Sequence, residues 1–167
     1  YKSNKKDNIA INIITDRQDS IYAEINEKLN EMIEELLVNK FSINVHLHPY
    51  DSEKTIKTFL PFSDQININV GADQTNIDDF ALNVVSIYST LFWEFIYKRN
   101  LMICYFPDFL IPEITHNHEI IKLLQRNNLL FSSTEIIERI DSNFIDQNLI
   151  NNQKFFLDLR NLINNPK

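Results

Sequence analysis

The chain has 167 residues, 44% hydrophobic and 23% charged, which is long and apolar enough for one globular domain. Its net charge of −7, with no Lys/Arg-rich run after the first six residues, argues against binding to nucleic acid or to anionic membranes. A single glycine, Gly71, excludes a P-loop and a glycine-rich dinucleotide motif, and a single cysteine, Cys104, excludes a disulfide framework.

Strand patterns and helix patterns alternate along the chain. Short apolar or alternating runs predict strands that begin near Ile9, Ile43, Ile66, Val84, Leu101 and Leu129. Amphipathic or capped segments between them predict helices near residues 21–39, 51–60, 76–82, 91–98, 119–126, 133–140 and 155–162. This order predicts a Rossmann-like α/β fold, in which a parallel sheet of about six strands is flanked by helices. We expect one domain over residues 1–167 and no membrane-spanning segment.

Two burial predictions follow from the apolar segments. The helix at 91–98 is apolar and aromatic nearly all round, which predicts that Trp93 is mostly buried. Cys104 lies within an apolar strand and is expected to be a core residue.

Ligands of parallel sheets bind beyond the carboxyl ends of the strands, which directs attention to three places in the chain. They are residues 15–19, 48–50 and 86–90. His48 can donate a hydrogen bond to a phosphate or nucleotide oxygen, with Pro49 fixing the turn. The alternative is a loop histidine that caps a helix or meets solvent.

The third place carries more polar chemistry. Ser86 ends a strand, and Ser89 and Thr90 lie at a strand-to-helix turn, where hydroxyls, free N–H groups and the helix dipole can hold an anion. Glu94 follows Thr90 by one helical turn on the same face, where a carboxylate can accept both hydroxyls of a ribose. The alternatives are plain N-capping by Ser89 and Thr90 and a solvated Glu94.

No metal site or cofactor is predicted. His116 and His118 form a His-x-His pair, but no third ligand has suitable spacing apart from the nearby Glu113 and Glu119.

Two motifs carry a resemblance to a known family. They are Val-His-Leu-His-Pro at 45–49 and Tyr-Ser-Thr-Leu-Phe-Trp-Glu-Phe-Ile-Tyr at 88–97, the latter followed by Met-Ile-Cys-Tyr. Over residues 8–140 the chain resembles the C-terminal half of bacterial GT-B glycosyltransferases. It is most similar to surface-polysaccharide and teichoic-acid polymerases, and to sialyltransferases with His-Pro and Ser-Ser/Thr motifs.

The resemblance implies a domain that binds a nucleotide-activated sugar or CDP-alditol, with a CMP-, CDP- or UDP-linked donor as substrate. His48, Pro49, Ser86, Ser89 and Thr90 would contact the donor nucleotide and phosphate, and Glu94 the ribose. A preceding N-terminal domain would supply the glycan acceptor site and the general base, so this domain alone is expected to be inactive. The implied location is cytoplasmic, including the inner face of the membrane.

The alternative is a non-catalytic GT-B-like or flavodoxin-like domain used for binding or assembly. The scarcity of glycine near the proposed phosphate site favours this alternative. Lys98-Arg99-Asn100-Leu101 also stands where many relatives have Gly-Lys/Thr-Pro.

Overall fold

Strands and helices alternate through the part of the chain that the computed structural model describes, residues 10–15, 23–48, 60–70, 81–106 and 118–164. The elements are β1 (Ala10–Ile14), α1 (Ala23–Val38), β2 (Ser42–Leu47), β3 (Asn67–Val70), β4 (Leu82–Ser86), α2 (Thr90–Lys98), β5 (Met102–Phe106), α3 (Glu119–Arg126), β6 (Leu130–Ser132), α4 (Ser133–Arg139) and α5 (Ser142–Asn164). A 3-10 turn at Leu60–Phe62 precedes β3. The predicted strands are therefore all present.

The six strands are parallel and lie in the order β3-β2-β1-β4-β5-β6. Strands β2 and β3 extend the sheet on one side of β1. Strand β4 then pairs with the other side of β1, and β5 and β6 extend the sheet in the opposite direction. Right-handed crossovers that run in opposite directions place their helices on opposite faces of a sheet. Accordingly, α1 packs on one face, and α2 and α3 pack on the other. The predicted Rossmann-like α/β fold is confirmed.

Each face of the sheet has its own apolar core. Period-2 alternation sends successive side chains of a strand to opposite faces, so Ile103 joins the α1 face and Cys104 the α2 face. The α1 face is formed by β-strand residues together with Met32, Ile33, Leu36, Ile136 and Ile145. The α2 face combines strand residues with Phe92, Phe95, Leu124, Phe155 and Leu159.

Cys104 is fully buried, as predicted, and burial raises the pKa of its thiol. The prediction for Trp93 is wrong, because its side chain is 45% exposed. A helix in the outer layer contacts the sheet with one face only. The spacing of α2 turns Phe92 and Phe95 inward and leaves Trp93 and Tyr97 on the outer side.

Helix α5 is much longer than the segment predicted at 155–162. Its first half packs on the α1 face through Ile145, and its second half packs on the α2 face through Phe155 and Leu159. Between the halves, the buried amide of Asn152 pairs with the backbone of Met102 at the start of β5.

Two predicted helices fall mainly on residues outside the described ranges. They are the segments at 51–60 and 76–82. Leu82, which was assigned to the end of the second segment, is instead the first residue of β4. No helix among the described residues combines the length and apolar character needed to cross a membrane.

Candidate functional site

The strand order creates a switch point between β1 and β4. Chain connections leave these two neighbouring strands in opposite directions, which opens a crevice beyond their carboxyl ends. Strand β1 ends at Ile14 and β4 ends at Ser86, so Thr15 and the turn at residues 87–89 border this crevice. The turn then leads directly into the N-terminus of α2.

The turn between β4 and α2 is held by its own serine side chains. The buried Oγ of Ser86 accepts a hydrogen bond from the backbone N–H of Tyr88 at 3.2 Å, and the Ser89 N–H donates to the Ser86 carbonyl at 3.0 Å. Ser89 is the N-cap of α2, since its Oγ accepts from the Leu91 N–H at 3.3 Å. These bonds fix the first turn of α2 at the carboxyl edge of the sheet.

Thr90 and Glu94 continue from this turn along α2. Thr90 is the first residue of the helix and is exposed to solvent. The Glu94 carboxylate forms an ion pair with Lys98 Nζ at 2.5 Å, where both side chains are partly exposed. Such a surface pair contributes only about 0.3–0.5 kcal/mol, which a bound hydroxyl pair can replace.

His48 lies at the same edge of the sheet, on the other side of β1. Its backbone N–H donates to Thr15 Oγ1 at 3.1 Å, and the Thr15 N–H donates to the His46 carbonyl at 3.1 Å. These bonds tie the end of β2 to the end of β1. Pro49 lies outside the described residues. The strand order thus brings His48 and the turn at 86–90 to one edge, separated by β1, and their sharing of a single ligand stays a prediction.

A ladder of asparagine side chains crosses four strands, two or three residues before the carboxyl end of each. Asn67 Nδ2 donates to Asn44 Oδ1 at 2.9 Å, and Asn44 Nδ2 donates to Asn12 Oδ1 at 3.0 Å. Asn12 Nδ2 then donates to Asn83 Oδ1 at 3.0 Å, and Asn83 Nδ2 ends the ladder on the Leu101 carbonyl at 2.8 Å. All bonds run in the same direction, so each amide polarises the next.

His46 follows Asn44 on the same face of β2, one step nearer the carboxyl edge. Its Nε2 is buried and has no hydrogen-bond partner among the described residues. Its register neighbours, Ile14 on β1 and Asn69 on β3, carry no charge. Burial consequently lowers the pKa of His46 below its usual value.

The lowered pKa of His46 predicts a dependence of stability on pH. The unfolded chain binds this proton more readily than the folded chain, so unfolding is favoured once the pH falls below about 6.5, the usual pKa of histidine. We expect the free energy of unfolding to be highest above that pH and to decrease as the pH is lowered towards 5. Urea unfolding at several pH values measures this, and His46→Gln should flatten the profile between about pH 5 and 7. An unchanged slope in that variant would assign the pH dependence to other groups.

His118 has a structural role in the fold. It is the N-cap of α3, where its Nδ1 accepts from the Ile120 N–H at 3.3 Å, and its ring packs edge-on against Trp93 with centroids 5.2 Å apart. His116 lies outside the described residues. Among the side chains that the structure describes, no group of three or more His, Cys, Asp or Glu could hold a metal ion.

Sequence reasoning missed the asparagine ladder and His46. In β2, Asn44 and His46 alternate with apolar residues, a pattern that is typical of a solvent-facing side of a strand. The signal that was present is the repetition of Asn in four strands, inside two of them at 12 and 44 and near the start of the other two at 67 and 83.

Comparison with known proteins returns no relatives. No family model matches the chain, and searches of curated proteins and of solved structures also find no match. The resemblance to GT-B glycosyltransferases therefore gains no support from these comparisons.

Proposed function

We propose that this chain is the donor-binding domain of a glycosyltransferase that builds bacterial surface polysaccharide from a CMP-, CDP- or UDP-linked donor. The observation that carries the proposal is the switch point between β1 and β4, with the serine-capped N-terminus of α2 directly beside it. In doubly wound sheets this crevice is where nucleotides bind.

The phosphate of the donor would lie at the N-terminus of α2. The positive end of the helix dipole favours an anion there, and the exposed Thr90 hydroxyl adds a donor, while the Leu91 and Phe92 N–H groups already donate to Ser89. Negative charge increases on the leaving phosphate as the glycosyl bond breaks. Donors that are already fixed in place stabilise that charge without reorganisation.

The nucleoside would extend from the phosphate towards Glu94 and His48. Glu94 lies one helical turn beyond Thr90, about 6 Å along the axis, which suits the distance between a phosphate and its ribose hydroxyls. His48 would approach from the end of β2. The acceptor and the general base would belong to a preceding domain in the cytoplasm or at the inner membrane face, so the domain is expected to bind donor without turnover.

Nucleotide binding is tested by a pair of substitutions that preserve the cap of α2. Asp and Asn are both good N-cap residues and nearly identical in shape. In Ser89→Asp the carboxylate repels a bound phosphate, so affinity for CDP or UDP should fall at least about tenfold while thermal stability is kept. In Ser89→Asn, which adds no charge, affinity should stay within about threefold. Isothermal titration calorimetry measures both.

Equal affinity in the two variants would place the phosphate elsewhere. If the unsubstituted chain binds none of CMP, CDP and UDP, the second candidate function is favoured, a non-catalytic domain used for binding or assembly. One observation favours this second candidate: the polar groups of the turn already have partners. Ser86 and Ser89 accept hydrogen bonds from backbone N–H groups, and Glu94 forms an ion pair with Lys98.

A further inference from the structure

An apolar groove lies on the outer surface of the domain, on the α2 side of the sheet. It has a volume of about 410 Å³ and is enclosed by α2, α3 and the second half of α5. Apolar side chains from all three helices line it, namely Trp93, Ile96, Ile120, Phe156, Leu159 and Leu162. Neither the β4–α2 turn nor His48 is among the residues that line it, so the groove is separate from the nucleotide site proposed above.

The rim of the groove is unusually apolar for a solvent-exposed surface. Trp93 is 45% exposed, Tyr97 88% and Ile163 67%. Single exposed apolar side chains are common, but here they surround one concavity, and such clusters mark binding surfaces. Tyr97 and Ile163 themselves line the groove, so a partner laid along it would cover both together with Trp93.

Two arginines give the groove a charge preference. Arg99 and Arg160 both line it and are exposed, and neither guanidinium has an ion-pair partner among the described residues. The nearby carboxylates are engaged elsewhere, since Glu94 pairs with Lys98 and Glu119 pairs with Lys122. In a chain of net charge −7, two exposed arginines without an ion pair to the described residues are complementary to an acidic partner.

We propose that the groove docks an amphipathic, acidic α-helix of a partner protein. The apolar stripe of that helix would fill the groove, and its carboxylates would meet Arg99 and Arg160. Trp, Tyr and Arg are the residue types that dominate binding energy at protein interfaces, and all three are present here. A membrane is the less suitable occupant because the apolar surface is concave. A second copy of the chain that docked through the same face would bring the two pairs of arginines together, and like charges repel.

The position of Trp93 provides a direct assay. It is the single tryptophan of the chain, so tryptophan fluorescence, excited selectively over that of the tyrosines, reports on the groove. The probe is a synthetic helical peptide of about 18 residues with Leu at i, i+3, i+4 and i+7 and Glu beside the stripe. We expect it to shift Trp93 emission to shorter wavelength, with affinity that falls as salt rises. The same peptide with Lys in place of Glu should bind at least about tenfold more weakly.

Charge reversal in the protein completes the test. The double variant Arg99→Glu/Arg160→Glu should reverse the preference and bind the Lys peptide more tightly. Arg126→Glu, an exposed arginine of α3 that does not line the groove, should behave as the unsubstituted chain. Three results would overturn the proposal: no shift with the acidic peptide, equal affinity for both peptides, or a larger shift with phosphatidylcholine–phosphatidylglycerol vesicles than with peptide. Nucleotide titration of the same variants is independent of these outcomes.

Discussion

Replacing Asn152 with alanine (Asn152→Ala) is expected to lower the free energy of unfolding by about 3 kcal/mol. The Asn152 side chain accepts from the Met102 N–H and donates to the Met102 carbonyl, each at 2.9 Å, and all of these groups are buried. Strand β6 begins to pair with β5 only at Cys104, so Asn152 takes the place of a strand beside Met102. The substitution leaves both backbone groups without partners.

The neighbouring Asn151 provides the matched control, because Asn151→Ala makes the same change in the same helix. Its contacts with Gln147 and Asn128 are exposed, and alanine favours the helix by up to about 0.7 kcal/mol. We therefore expect Asn151→Ala to be neutral or slightly stabilising. Urea unfolding curves compare the two variants, and a loss of similar size in both would show that the pairing of Asn152 with Met102 does not stabilise the fold.

A substitution that interrupts the asparagine ladder at its centre should also lower the free energy of unfolding substantially. Asn12→Leu keeps the branching and the number of heavy atoms of the side chain but removes its bonds to Asn44 and Asn83. Asn83 Oδ1 is then buried without a donor, and Asn44 Nδ2, which is half-buried, loses its acceptor. One buried unsatisfied group costs about 1–3 kcal/mol, so we expect a total loss of about 2–3 kcal/mol.

The exposed end of the ladder provides a control for this substitution. Asn67→Leu removes one bond to Asn44 at a position where water can replace it, and should change the stability by less than about 1 kcal/mol. Denaturant unfolding measures both variants. If Asn12→Leu were as stable as the unsubstituted chain, packing alone would compensate for the lost amide pairs, and the ladder would have no net stabilising role.

The strands could be predicted because each is a short apolar or alternating run bounded by polar residues, as at Asn8 and Thr15 around β1. Their parallel arrangement followed from the intervening helices. The spatial order of the strands could not be predicted, because nothing in the local pattern indicates that β4 pairs with β1 rather than with β3. That order is what creates the switch point.

Polar positions inside the fold were harder to predict. An isolated Asn in a strand is typical of an exposed site, and when it is buried its amide needs partners, which neighbouring strands supply here. The predicted last helix was too short for the same reason, because the first half of α5 is held in the fold by the buried amide of Asn152 as well as by Ile145. Trp93 was misplaced because an almost wholly apolar helix predicts burial on every side, whereas α2 is buried on one face only.

The candidate site was predictable in part. Ser86, Ser89 and Thr90 could be located because a strand-to-helix turn is recognisable in sequence, and parallel strands end at a common edge. The bond from the His48 N–H to Thr15 could not be foreseen, because it depends on β1 and β2 being neighbours. The ion pair of Glu94 with Lys98 follows from their i, i+4 spacing and was overlooked.

A titration of the ¹⁵N-labelled chain with CMP, CDP and UDP, followed by amide chemical shifts, tests the central claim most directly. If a nucleotide binds at the switch point, the largest changes should occur at the amides of residues 87–92, with smaller changes at Thr15 and His48. Amides of α4, which lies on the opposite face of the sheet, should not move. Absence of changes with all three nucleotides, or changes confined to residues away from the β4–α2 turn, would contradict the proposed donor site.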